Sequence, residues 1–456
     1  MAWSSPYLFF TQSAVKLQPK QLAYPMQAPA IEFASADDIR ARQQQLLAAH
    51  LQYVYAHSPY YRSRFQQAGI EPQKIRGLED LPLLPTTSKN DLQQHNQAFM
   101  CVERAEIVDY VTTSGTLGDP VSIALTEKDL QRLAYNEAIS FLCAGAGPGD
   151  VFQLMTTMDR RFMAGLAYFM GVRKLGGSII RVGSGVPGLQ WDSIFRFSPD
   201  VLITVPSFLL HILHYASKHG IDWRSSSVRK AVCIGEPIRK PDFSLNALGQ
   251  KIRELWELEL YSTYASTEMA TAFTECAAGR GGHLHPELII VELLDEHDQP
   301  VPAGEAGEVT VTPLGVEGMP LLRFKTGDIA QLHTGSCSCG RNNPRLGPVV
   351  GRKQHLIKYK GTSLYPPAIY EVLNRIEGVE KYVVELSSNP SGMDEITVHI
   401  GCGQAGKTLA TSIMEQFQAR LRVKPKLKFH STEEVSRMMF PAMSRKPVKL
   451  IDRRNL

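Results

Sequence analysis

From about residue 107 to residue 330 the chain alternates between short apolar runs and stretches with helical spacing. AEIVDYVTTSG leads into LTEKDLQRLAYNEAISFLCAG, and DVFQLMT into AGLAYFMGVRKLGG. SIIRV, DVLITV, PSFLLHILHYASKHG and KAVCIG continue the pattern. A strand followed by a helix and another strand needs a crossover, so such strands pair in parallel and helices cover the sheet. The predicted class is therefore α/β, with βαβ units at the centre of a large domain.

Two flanking regions follow other rules. Residues 36 to 68 carry apolar residues at helical spacing and predict an amphipathic helix interrupted at Ser58-Pro59. From about 283, HLHPELIIVELLDEHDQPVPAGEAGEVTVTPL alternates β-rich segments with Pro, Gly and Asp turns, which predicts a strand-rich subdomain. A βαβ-like pattern restarts near 352, and a basic tail ends the chain. We place a domain boundary at Gly351-Arg352, with residues 1–351 as a large domain and 352–456 as a small α+β domain. A chain of 456 residues exceeds the size at which one core usually stops growing, about 250 to 300 residues.

The bulk chemistry excludes several classes. With 49 basic and 45 acidic side chains the charge is nearly balanced, which argues against a nucleic-acid partner. No stretch reaches about 18 uninterrupted apolar residues, and the N-terminus lacks a basic and then apolar leader, so no membrane partner and a cytoplasmic location are expected. Seven cysteines, an odd count, point to free thiols or metal ligands.

TTSGTLGDP, residues 112 to 120, is rich in hydroxyls and glycines, as a phosphate-wrapping loop would be. It lacks the lysine of G-x-x-x-x-G-K-[ST], and as it stands between strand-like segments it is equally readable as a hairpin turn. Four further stretches follow in order: YASTE at 264–268, FKTGD at 324–328, GRKQHLIKYKG at 351–361 and SRKPVKLID at 444–452. With them the chain resembles the adenylate-forming superfamily of acyl-CoA synthetases, aryl-acid ligases and adenylation domains. SPYYRSRFQQAGI and LEDLPLLPTTSKNDL make it most similar to the phenylacetate-CoA ligase branch.

The resemblance implies a large domain and a small mobile one with a nucleotide site between them. Thr113, Ser114, Gly115, Thr116 and Gly118 would hold the outer phosphates of ATP, with magnesium offsetting the charge. Tyr264 would lie against the adenine, Thr267 would reach a phosphate, and Glu268 would help hold magnesium. Gly235, Glu236 and Pro237 match the family's adenine-side segment. Asp328 would accept from both ribose hydroxyls, and Arg352 would contact the nucleotide. Lys446 would bring the missing cation to the site, with Lys449 as its alternative. Gln354 stands where the family has a charged hinge, and Leu117 and Asp119 replace the usual threonine and lysine of the loop.

Cys276 and His283, with Cys337 and Cys339, make a Cys3His set suited to structural zinc, with His285 as another candidate for the fourth ligand. A similar cysteine and histidine pattern occurs in part of the same branch. Phe162, Tyr168, Phe169 and Phe208 are candidates to line an acid pocket, together with Pro206, Ser207 and Ile234 to Pro237. The expected reaction is ATP-dependent activation of a carboxylic acid, aryl by the resemblance, followed by transfer to coenzyme A or a carrier-protein phosphopantetheine. An adenylyltransferase that leaves AMP on its product and a zinc-stabilised binding protein without turnover are the alternatives; pyrophosphate release and thioester formation discriminate among the three.

Overall fold

The computed structural model describes residues 27–113, 121–359, 362–389, 393–403, 407–441 and 447–454. Its centre is a six-stranded sheet in the order Ser178–Arg181, Val151–Leu154, Val201–Thr204, Lys230–Cys233, Glu259–Ser266 and Thr271–Thr274. All neighbours pair in parallel except the last two. VLIT at 201–204 is buried at every position, as a strand covered on both faces must be. Helices Met163–Leu175, Pro187–Phe197, Pro206–Lys218 and Ala247–Leu255 make the crossovers. From Val151 to Cys233 the alternating pattern is realised as read, whereas the first segment, Ile107–Thr112, pairs antiparallel with Ser122–Thr126 in a separate two-stranded sheet.

The strand order reverses beside Val151–Leu154, where the chain first steps outward to Ser178–Arg181 and then returns to Val201–Thr204 on the other side. Ligands of open parallel sheets sit outside the carboxyl ends of the strands at such a reversal. Loops 155–162, 205–208 and 234–237 all leave from those ends.

The strand-rich region forms a second sheet, antiparallel, in the order Ile289–Leu294, Ala306–Pro313, Phe324–His333, Arg345–Leu346 and Gly282–His283. Gly351–Arg352 also pairs with Phe324–His333, so the chain leaves this sheet after Arg352. The small domain folds around a four-stranded mixed sheet of Lys426–His430, Asp394–Gly401, Lys381–Ser388 and Leu450–Asp452, with three helices and a core of its own. No helix among the described residues is long and apolar enough to cross a membrane.

At the N-terminal side the expected interruption is a shared cap. Ser58 ends helix Ala36–His57 by donating its N–H to Val54 and starts helix Pro59–Ala68 by accepting from the Tyr61 N–H. Pro59 occupies the first turn, where no N–H partner is needed.

One buried acid makes stability depend on pH. Glu137, on helix Glu127–Cys143, is 5% exposed, and burial raises its pKa from an ordinary 4.5 to about 8, although the Asn136 amide donates to it at 3.2 Å. Between those two values the folded state keeps a proton that the unfolded chain releases, so stability falls as pH rises, by about 1.4 kcal/mol per unit. Glu137→Gln keeps the shape and removes the titration. It should raise stability at pH 7 by about 3 kcal/mol, with a gain that grows towards pH 8 and vanishes near pH 4.5 in urea melts.

Candidate functional site

Thr113 is buried and closes the base of the glycine-rich loop. Its N–H donates to Val121 at 2.9 Å, and its hydroxyl accepts the Val121 N–H at 3.2 Å. The flanking strands Ile107–Thr112 and Ser122–Thr126 pair antiparallel. Ser114, Gly115, Thr116, Leu117, Gly118 and Asp119 lie outside the described residues, as does Lys446.

Tyr264, Asp328 and Arg352 form one linked group. The Tyr264 hydroxyl donates to one Asp328 oxygen at 2.9 Å, and Arg352 Nε donates to the other at 3.1 Å. The carboxylate is turned to this side by a bulge: three residues from Thr326 to Asp328 oppose Val309 alone, and Gly327 adopts a φ of 78° that favours glycine. Burial, with the Asp328 charge beside it, pushes the Tyr264 hydroxyl far above the ordinary tyrosine value, so it remains a donor. A carboxylate has about four lone-pair sites, so Asp328 retains capacity for two ribose hydroxyls.

Thr267 and Glu268 stand at the turn between strands Glu259–Ser266 and Thr271–Thr274, both half-buried. Lys89, on the short helix Lys89–Gln94, comes close to both Glu268 and Arg352. Burial lowers its pKa, the Glu268 charge opposes that, and Arg352 adds to it. Lys89 belongs to this site and was missed in the sequence, where it reads as one residue of a proline-punctuated turn.

Gly235 has a φ of 74°, and the Glu236 carboxylate beyond it accepts the Ser207 N–H at 2.9 Å. This joins the loops that leave two neighbouring strands of the parallel sheet. The second partner of Glu236 is Lys449, at 2.7 Å. Lys449, offered above as an alternative to Lys446, is thus already committed to a carboxylate.

The acid-pocket residues divide. Tyr168 is 2% exposed and packs in the core 6.2 Å from Phe141, so it does not line a pocket; its place on a buried helix face outweighs its aromatic character. Phe169 is half-buried with the Arg173 and Arg181 guanidiniums 5.8 and 5.5 Å from its ring. Phe208 packs against a second core cluster, and Phe162 caps helix Met163–Leu175.

Cys276, His283, Cys337 and Cys339 converge, with all four ligand atoms within 4.8 Å of one another. Cys276 and Cys337 sulfurs stand 3.6 Å apart, and Cys339 Sγ is 3.5 Å from His283 Nε2. Around one tetrahedral zinc, sulfur pairs stand about 3.8 Å apart and sulfur and nitrogen about 3.5 Å, so the residues fit the ion. His283 Nδ1–H donates to Asn343 Oδ1 at 2.8 Å, leaving the Nε2 lone pair facing the thiols. Burial lowers the His283 pKa to about 4, which keeps the imidazole neutral as a ligand must be. Burial likewise pushes the Cys276 thiol up to about 12. His285 faces elsewhere: it bonds Glu32 at 2.7 Å and Ser140 at 3.1 Å. Arg341 joins Glu32 to the cluster, 2.7 Å from the carboxylate and 3.7 Å from Cys339 Sγ.

A nucleotide-type site at the carboxyl ends of a parallel sheet, faced by a small α+β domain, defines the class of protein. The AMP-binding enzyme family matches residues 43–316 and its C-terminal domain family matches 361–454; the chain belongs to this family. It is an AMP-forming acid–thiol ligase, similar to phenylacetate-CoA ligases. The enzyme of that name from Thermus thermophilus is 30% identical over 82% of this chain and 84% of its own. The Escherichia coli enzyme is 28% identical over 83% and 86%. Among solved structures, 2-hydroxyisobutyryl-CoA ligase, 24% identical, gives a TM-score of 0.79 in its postadenylation state, over 93% of this chain and 92% of its own. In its thioesterification state the TM-score is 0.68, over 94% and 92%.

Proposed function

We propose that this chain activates an aryl carboxylic acid with ATP and transfers the acyl group to the thiol of coenzyme A. The acid oxygen attacks the α-phosphorus and pyrophosphate leaves, giving an acyl-adenylate; the thiol sulfur then attacks the acyl carbon, and AMP leaves. Asp328 takes the ribose hydroxyls, the 112–120 loop takes the departing phosphates, and Lys446 screens the repulsion between carboxylate and phosphate. Magnesium, held with help from Glu268, would offset the phosphate charge.

The observation that carries this reading is the Tyr264–Asp328–Arg352 group, which draws together three separate sequence motifs around one carboxylate. The aryl preference rests on the relatives named phenylacetate-CoA ligase, and the loss of Tyr168 to the core makes the acid the part most in need of a direct test. In the same reading the Cys3His node holds structural zinc and the enzyme works in the cytoplasm.

Pyrophosphate release should be measured against phenylacetate, hydroxybenzoates, small branched hydroxy acids and alkyl acids. Thioester should then be sought with coenzyme A and with a phosphopantetheinylated carrier. Release with an aryl acid and thioester with coenzyme A are expected. No release with any acid would overturn the reading, and thioester with the carrier alone would replace the acceptor.

A further inference from the structure

Lys449 lies three residues beyond Lys446, and its ammonium reaches across to the large domain. It meets Glu236 Oε1 at 2.7 Å and stands 5.7 Å from the Tyr382 ring; the two charged side chains are 16% and 12% exposed. Each partner is anchored in a different domain. The Lys449 carbonyl accepts the Val384 N–H at 2.9 Å, and the next residues, Leu450–Asp452, pair with strand Lys381–Ser388 of the small domain. Glu236 follows directly from the parallel sheet and holds the Ser207 N–H. Helix Pro366–Arg375 of the small domain adds a second tie, where Glu371 accepts the Ala247 N–H at 2.8 Å.

A buried ion pair adds little net stability because desolvation offsets attraction, and its effect is to specify one arrangement. Burial alone would lower the Lys449 pKa, but the Glu236 carboxylate beside it outweighs burial and holds the pKa above the ordinary lysine value. The two opposite charges come to ion-pair distance where the two domains meet. The pose is also the one whose fold superposes better on the postadenylation form of the solved ligase, 0.79 against 0.68, at nearly equal coverage.

From this we infer that Lys449 is a positioning residue: its pairing with Glu236 holds the small domain against the large one for acid activation and releases when the small domain turns for the thiol step. The inference rests on the two-step reaction proposed above.

The test separates the half-reactions in the full chain. Lys449→Met should lower pyrophosphate release by about tenfold or more, while thioester formation from a synthetic acyl-adenylate and coenzyme A stays within about twofold. That retained half-reaction shows that the variant is folded. Lys449→Arg keeps the charge and should recover most of the loss. Equal loss in both half-reactions, or loss in neither, overturns the inference. If the parent releases no pyrophosphate with any acid, the function reading fails, and the pairing is judged by domain distance instead. Dyes placed through unnatural amino acids on helices Ala36–His57 and Lys407–Leu421 should report a smaller closed population in Lys449→Met; an unchanged population overturns it.

Discussion

Lys446→Ala will lower pyrophosphate release by about a hundredfold or more while changing ATP affinity only slightly. A lysine that meets charge building between the carboxylate and the α-phosphate acts in the transition state, so its loss falls on turnover and spares ground-state binding. Other cations near the site are already engaged. Arg352 is 3.1 Å from Asp328, Lys449 is 2.7 Å from Glu236, and Lys353 is 3.0 Å from Glu308. A guanidinium differs in shape and hydration, so Lys446→Arg should recover only part of the rate. Thioester formation from preformed acyl-adenylate should persist in both variants. Unchanged pyrophosphate release in Lys446→Ala would remove this lysine from the mechanism.

The parts of the fold that repeat a local rule were legible in the sequence. Buried runs such as VLIT at 201–204 and the Ser58-Pro59 junction each carry their own signal, in continuous hydrophobicity and in capping chemistry. The Cys3His set was legible because few residue types bind zinc, and the choice between His283 and His285 was not. That choice depends on which imidazole finds Asn343 and which finds Glu32, partners 60 and 253 residues away. Tyr168 was misread for a related reason: an aromatic residue on an apolar helix looks the same in sequence whether it faces a pocket or Phe141. Lys89 was hidden, and Lys449 was legible only as the alternative to Lys446, because their partners are carboxylates on distant elements, Glu268 and Glu236.

Removing the zinc proposed for the Cys3His node will destabilise the large domain before it affects chemistry. The four ligands join the segment after strand Thr271–Thr274 to the loop beyond Phe324–His333, so the node ties the parallel sheet to the antiparallel one that carries Asp328. Without a cation the two loops lose their cross-link. Three thiolates around one zinc leave a net negative charge, which Arg341 offsets from 3.7 Å while Glu32 holds it in place at 2.7 Å. Protein purified without chelator should therefore contain close to one zinc per chain. Treatment with a strong chelator, or Cys337→Ser with Cys339→Ser, should lower the melting temperature by about 5 °C or more, because a structural zinc contributes its binding energy to folding. Asn343→Ala keeps all four ligands but frees the His283 ring, and should weaken zinc about tenfold in competition with a chromogenic chelator. A chain that holds no zinc and melts at the same temperature after chelation would reduce the cluster to four packed, unliganded side chains. The Asn343 variant separates a true ligand set from that case, because a merely packed histidine gives its amide partner no influence on metal affinity.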